Sequence, residues 1–164
     1  MLQLTGDLLS VAEMGVFDII VHGVNCFNTM GSGIAKQIRV KWPAVNEVDQ
    51  ATAKGDYNKL GNYTSVEVDV NNANNKLLVV NAYTQYHYNR TQEHNDLFEY
   101  VSFMMILQKL AFLYPKANYG LPMIGMGLAG GDATMIIEII EEFALKITQN
   151  GGTVTLVRYS DPCN

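Results

Sequence analysis

Positive charge is scarce in this chain. Eleven Lys and Arg stand against sixteen Asp and Glu in 164 residues, a formal net charge of −5. A protein that grips long nucleic acid draws its affinity from counterion release, which takes a row of cations along one surface. No such row is present, so general nucleic-acid binding is not expected, whereas a small anion can still be held by backbone N–H groups that need no net charge. Cysteine is also scarce: Cys26 and Cys163 are far apart and lack metal-ligand spacing. His22, His87 and His94 form no His-x-x-x-His pattern, so neither a metal nor a cofactor is expected. No apolar run is long enough to span a bilayer, and Met1 to Asp7 carries no basic leader region. Together these absences predict a soluble chain in a reducing, cytoplasmic compartment. Low-complexity tracts are missing too, and a hydrophobic content of 48% predicts one globular domain spanning residues 1–164.

What is there is an alternation of strand-like and helix-like segments. Leu2 to Leu4 reads as a short strand and Leu8 to Met14 as a short helix. The apolar run Ile19 to Val24 has the character of a buried strand. Helices are predicted from Gly33 to Lys41 and from Pro43 to about Lys54. Gly61 to Val70 ends in the alternation Val66, Val68, Val70, the Asn-rich run 71–75 makes a turn, and Leu77 to Ala82 returns as a buried strand. Asn95 or Asp96 can cap a helix reaching Leu113, with Leu97, Val101, Met104, Met105, Gln108 and Ala111 on a face read as core packing. Asn118 to Met123 is a strand, Ala133 to Gln149 a helix closed by Gly151-Gly152, and Thr153 to Val157 a last strand. This order predicts an α/β protein, a three-layer α/β/α sandwich around a mixed, mostly parallel sheet.

Two glycine-rich loops stand out, each between a strand and a helix. The first runs from Asn25 through Gly31-Ser32-Gly33, and the second is Gly125-Met126-Gly127-Leu128-Ala129-Gly130-Gly131. Glycine permits close backbone approach, and the first N–H groups of a helix lack internal partners, so two such loops can grip one diphosphate. Neither is a nucleoside-triphosphate loop, because Gly33 is followed by Ile34 and Ala35 rather than Lys and Ser or Thr. The second matches Gly-x-Gly-x-x-Gly by letter, yet too little chain follows it for a dinucleotide-binding half.

Gly6-Asp7-Leu8-Leu9, His22-Gly23-Val24-Asn25 leading to Gly31-Ser32-Gly33-Ile34-Ala35, Asn81 to Gln85, and Met123 to Ala129 together resemble the macrodomain family. Their order and spacing cover nearly the whole chain, and the set is most similar to the small standalone branch of ADP-ribose 1″-phosphate phosphatases and terminal ADP-ribose glycohydrolases. The resemblance implies a cleft at the carboxyl ends of the strands that takes ADP-ribose or its 1″-phosphate, with ADP-ribosylated macromolecules as further partners. It places Asp7 and Leu8 at the adenine, Asn25 at the distal ribose, Gly31, Ser32, Gly33, Ile34 and Ala35 around the distal ribose and diphosphate, and Thr84 after the adjoining strand. Gly125, Met126, Gly127, Leu128 and Ala129 would close on the diphosphate, and Tyr159 would lie near adenine. Asp7 and Asp132 also fit plain helix caps.

Departures from the pattern bear on chemistry. The glycohydrolase lysine would fall near Ala82, and its aspartate is replaced by Ala129, so a lysyl route is not expected. His22 and Asp132 are the candidates for proton transfer in a phosphatase, although His22 also reads as a buried loop organiser. The resemblance therefore puts first an enzyme that binds ADP-ribose and hydrolyses a group from its distal ribose, with ADP-ribose 1″-phosphate as the substrate; the alternatives are an ADP-ribosyl hydrolase acting on modified protein or nucleic acid, and a binding module without turnover.

Overall fold

A computed structural model describes residues 1–91 and 96–160. Six strands form one sheet: β1 Leu2–Thr5, β2 Ile19–Asn25, β3 Tyr63–Val70, β4 Asn75–Gln85, β5 Asn118–Leu121 and β6 Thr153–Arg158. Five helices accompany them: α1 Leu8–Glu13, α2 Gly33–Lys41, α3 Pro43–Gln50, α4 Tyr100–Leu113 and α5 Ala133–Gln149. Strand order is β1-β6-β5-β2-β4-β3, and every neighbouring pair is parallel except the β3–β4 hairpin. The turn of that hairpin places Asn71, Asn72 and Ala73 at positive φ, which asparagine tolerates better than most residues.

Alternate residues of the central strands feed two cores, one on each face of the sheet. Ile19 and Val21 of β2 join Phe103, Ile106 and Leu110 of α4 and Ile136, Ile140 and Phe143 of α5. Ile20 and Val24 point the other way, into Leu8 and Ala12 of α1, Ile38 of α2 and Val45 of α3. This two-sided burial is why β2 reads as an unbroken apolar run, and it makes the expected α/β/α sandwich with a mixed sheet.

Some boundaries differ from the expected ones. α3 stops at Gln50 rather than near Lys54, because the Asp49 carbonyl turns to accept from the Thr52 N–H and hydroxyl. α4 begins at Tyr100: the Asp96 carboxylate accepts from Phe98 N in a local turn, and Phe98 bridges to Gln85 of β4. Asn95, His94 and Cys163 lie outside the described residues. The Met-bearing face of α4 is not its core face. Ser102, Phe103, Ile106, Leu107 and Leu110 are buried, whereas Val101 is 69% and Met105 44% exposed. A helix apolar on both sides gives no periodic signal to choose between faces. β4 runs on to Gln85, and β5 stops at Leu121, just before Pro122.

Gly120 of β5 has a packing reason to be glycine. A Cβ there would lie 2.6 Å from the buried ring of Phe17. Gly120→Ala is expected to cost about 1–3 kcal/mol from overpacking, read as a fall in melting temperature, and adding Phe17→Leu should recover part of the loss. No recovery in the double variant would show that the strain lies elsewhere.

Candidate functional site

The cleft opens where β2 and β5 part. β2 pairs with β4 along its whole length, but with β5 only through Ile19 and Ile20. From β2 the chain proceeds to β4 and β3 on one side and later to β5 and β6 on the other, so the loops leaving β2 and β5 turn apart. In open α/β sheets this switch point is where ligands bind. A cleft of about 1270 Å³ lies there, roomy enough for a dinucleotide-sized ligand. Its floor needs glycine at Gly23, where a Cβ would come within 2.8 Å of the Thr84 hydroxyl.

The first wall is the loop from β2 to α2. Asn25 ties it by donating from Nδ2 to Thr29 O and Oγ1, at 2.9 and 2.8 Å, and accepting from Phe27 N at 2.9 Å. Asn28 sits at φ 57°, and its Nδ2 donates to the carbonyls of Asp49 and Thr52. Beneath it the buried Lys59 ammonium donates to Cys26 O, Asn28 Oδ1, Thr52 Oγ1 and Ala53 O, and lies 4.8 Å from the centre of the Tyr83 ring. Beside it the Tyr83 hydroxyl donates to Asp49 Oδ1 at 2.7 Å. Burial pushes the Lys59 ammonium pKa down and the Asp49 carboxyl up. The same burial lifts the Cys26 thiol to about 11, which makes it a poor nucleophile. At the end of this wall Ser32 takes the N-cap position of α2 without a side-chain cap bond, and Gly33 follows at φ 54°. The first N–H groups of α2 therefore stand at the cleft without a side-chain partner from their own cap.

The opposite wall is the loop from β5 to α5. Gly125 adopts φ 74° against Phe98, whose ring would lie 2.3 Å from an added Cβ, and its carbonyl accepts from Gly131 N. At the tip Leu128 is 71% exposed, and its Cδ1 lies 3.9 Å from where a Gly33 Cβ would stand. The β4–α4 loop forms the third side. Gln85 donates to His87 O, Tyr86 stacks on Tyr57, and the Arg90 guanidinium donates to the Gly127 carbonyl.

Of the residues singled out from sequence, Asn25, Gly31, Ser32, Gly33, Ile34, Ala35, Thr84, Gly125, Gly127, Leu128 and Ala129 line this cleft. Met126 shares the second loop without lining the cleft. Asp7, Leu8 and Tyr159 lie beyond the lining, at the carboxyl ends of β1 and β6, which Gly6 N joins through Arg158 O. Three strand spacings, roughly 14 Å, separate that edge from β2. Asp7 caps α1 by accepting from Ser10 N and Oγ, Leu8 is buried, and Tyr159 is 65% exposed.

The two proton-transfer candidates are not in the cleft. His22 is fully buried on the α3 side of the sheet, with Nε2 2.6 Å from Asn81 Oδ1. Asn81 donates through Nδ2 to Val45 O and Thr64 Oγ1, which fixes Oδ1 as an acceptor and makes Nε2 of His22 the protonated nitrogen. Nδ1 is left without a partner, and burial lowers the pKa to about 4. Asp132 caps α5 by accepting from Met135 N. Among the described residues no carboxylate or imidazole lines the cleft, and no cluster of three His, Cys, Asp or Glu could hold a metal. Sequence reading missed Thr29, Gln85, Tyr88 and Arg90 of the lining. The β4–α4 loop carries neither glycine nor a periodic pattern to announce it.

No family model matches the chain. An uncharacterised 17.5 kDa protein from the tk-vs intergenic region of Enterobacteria phage T4 is 31% identical over 147 residues, covering 87% of this chain and 88% of the phage protein. A crystal structure from Bacteroides thetaiotaomicron matches with TM-score 0.74 at 24% identity, over 96% of this chain and 99% of that one. Thermosipho africanus DarTG in complex with ADP-ribose matches with TM-score 0.71 at 14% identity, over 98% of this chain and 42% of DarTG. The macrodomain protein of Streptomyces coelicolor matches with TM-score 0.65 at 18% identity, over 98% and 99% of the two chains.

Two outcomes follow from the buried groups. The His22 pKa is lower in the fold than in the unfolded chain, so between about pH 6.5 and 4 the unfolded state binds more protons and stability falls as pH falls. The full effect is up to about 3 kcal/mol. His22→Gln should flatten that part of the pH–stability curve in denaturant titrations, and an unchanged slope would contradict the buried neutral imidazole. Lys59→Met removes a donor from four oxygens, of which Cys26 O keeps Gly55 N, and leaves Asp49 buried without its neighbouring cation, so a loss of about 3–5 kcal/mol is expected. A denaturation midpoint equal to wild type would show the network to be dispensable.

Proposed function

This chain belongs to one family with the 17.5 kDa phage T4 protein and has the macrodomain fold, and on that premise we propose that its cleft binds ADP-ribose. The observation that carries the proposal is the start of α2, uncapped by its own Ser32, facing the Gly125–Ala129 loop across a cleft in which no described residue brings a carboxylate. Backbone N–H groups from both sides can hold a diphosphate there, and the helix dipole favours the negative charge. The distal ribose would lie over Asn25 and Gly31. Adenine would reach the β1 and β6 edge, where Asp7 keeps Oδ1 for the amino group while Oδ2 holds Ser10, with Leu8 and Tyr159 alongside. DarTG, whose structure in complex with ADP-ribose shares the fold, supports the choice of ADP-ribose as the ligand to try.

Hydrolysis at the distal ribose is the second proposal, with ADP-ribose 1″-phosphate, or an ADP-ribosyl group on protein or nucleic acid, as substrate. It needs a water beside the 1″ position and a group that moves a proton. His22 stays neutral and buried, Asp132 is engaged at its cap, and Asn25 spends its amide on the loop. The geometry therefore favours binding without turnover over hydrolysis.

Calorimetry with ADP-ribose is the test, and one molecule bound per chain is expected. Asp7→Ala should weaken binding roughly tenfold to hundredfold, the value of one charge-assisted hydrogen bond. Gly33→Val fills the anion seat and forces a β-branched residue to φ 54°, so it should abolish binding and also lower the melting temperature. Unchanged ADP-ribose affinity in both variants would overturn the placement of the ligand. Phosphate released from ADP-ribose 1″-phosphate by wild type but not by His22→Ala would overturn the ranking and restore the phosphatase.

A further inference from the structure

We propose that Arg90 is the specificity-determining residue of the cleft: its guanidinium supplies the charge that selects ligands joined through a diphosphate. The proposal deepens the ADP-ribose reading and rests on the same cleft, but it concerns a residue of the β4–α4 loop that no glycine motif marks.

Among the described lining residues Arg90 is the only cationic side chain, and none is acidic. The described residues offer it no ion pair. One N–H is engaged by the Gly127 carbonyl, the residue before Leu128. Leu128 is the tip that approaches Gly33. Thus the second glycine loop is bonded to the β4–α4 loop at Gly127 and faces the start of α2 at Leu128, so an anion held between the walls would lie near the guanidinium. A guanidinium presents five donors in a planar fork, so the bond to Gly127 leaves several for phosphate oxygens. The remaining anion donors in the cleft are uncharged N–H and hydroxyl groups. In a chain of net charge −5, the one cation among the described residues of the cleft sets how strongly a doubly anionic ligand is preferred to a neutral one.

The test compares wild type, Arg90→Gln and Arg90→Lys for binding of ADP-ribose, ADP, adenosine and inorganic pyrophosphate, each from about 0.05 to about 0.3 M salt. Gln keeps a donor for the Gly127 carbonyl and removes the charge, so melting temperature should stay near wild type. Expected are a roughly tenfold to hundredfold loss for ADP-ribose, ADP and pyrophosphate in Arg90→Gln, a flatter salt dependence, and unchanged adenosine affinity. Lys keeps the salt dependence and loses part of the affinity, because a point charge replaces the fork. Equal affinities and salt slopes in wild type and Arg90→Gln overturn the proposal while leaving ADP-ribose binding intact. If adenosine weakens as much as the diphosphates, Arg90 only shapes the loop and the proposal fails. If wild type binds ADP and pyrophosphate through Arg90 but not ADP-ribose, the functional reading fails and the Arg90 assignment stands. Binding of no diphosphate by wild type sinks both.

Discussion

A buried ammonium with no direct salt bridge among the described residues fixes the loop on one side of the cleft. Lys59 reaches from its 3₁₀ turn, Tyr57–Lys59, into the layer beneath β4 and gathers four oxygens from the β2–α2 loop and the segment after α3. Desolvation opposes the charge on both Lys59 and nearby Asp49, so the set is costly to fold around. What it fixes is position. Asn28 can hold its left-handed backbone because Lys59 takes its Oδ1 while Asp49 and Thr52 take its Nδ2. With Asn28 held, Asn25 and Thr29 lock the rest of the loop and deliver Gly33 to the mouth of the cleft.

The sheet supplies the other half of the arrangement. Parallel strands bring every strand-to-helix loop to the same edge, and the reversal of strand order at β2 and β5 separates two of those loops enough to admit a ligand. Neither loop needs a charged side chain to attract an anion, since helix N-termini and open backbone N–H groups suffice. That is how an acidic protein can offer the anion site proposed above, and why Arg90 stands out in its lining.

The fold was legible because its signals are local. Unbroken apolar runs gave β2 and β4, the β-branched run Thr153 to Val157 gave β6, and the spacing of Ile136, Ile140, Phe143, Ala144 and Ile147 gave the buried face of α5. α4 was misread at its start and on its face, since Asp96 turns the chain locally and the helix is apolar all round. In the cleft, the glycine loops could be read because glycine marks backbone that others cannot adopt. Lys59, Asp49 and Arg90 could not. Their partners lie 31, 34 and 37 residues away in Asn28, Tyr83 and Gly127, and no spacing rule reaches that far. His22 was visible as a candidate, but nothing in the letters shows which face of β2 carries it inward to Asn81.

The short pairing of β2 with β5 has a mechanical side. Two residue pairs join the half-sheet β1-β6-β5 to the half-sheet β2-β4-β3, whereas β2 and β4 are zipped along seven and β3 and β4 along eight. The thinnest seam of the molecule therefore runs directly beneath the cleft. Whatever spans from the β2 loop to the β5 loop acts as a suture across it, so occupancy of the cleft and stiffness of the sheet rise together.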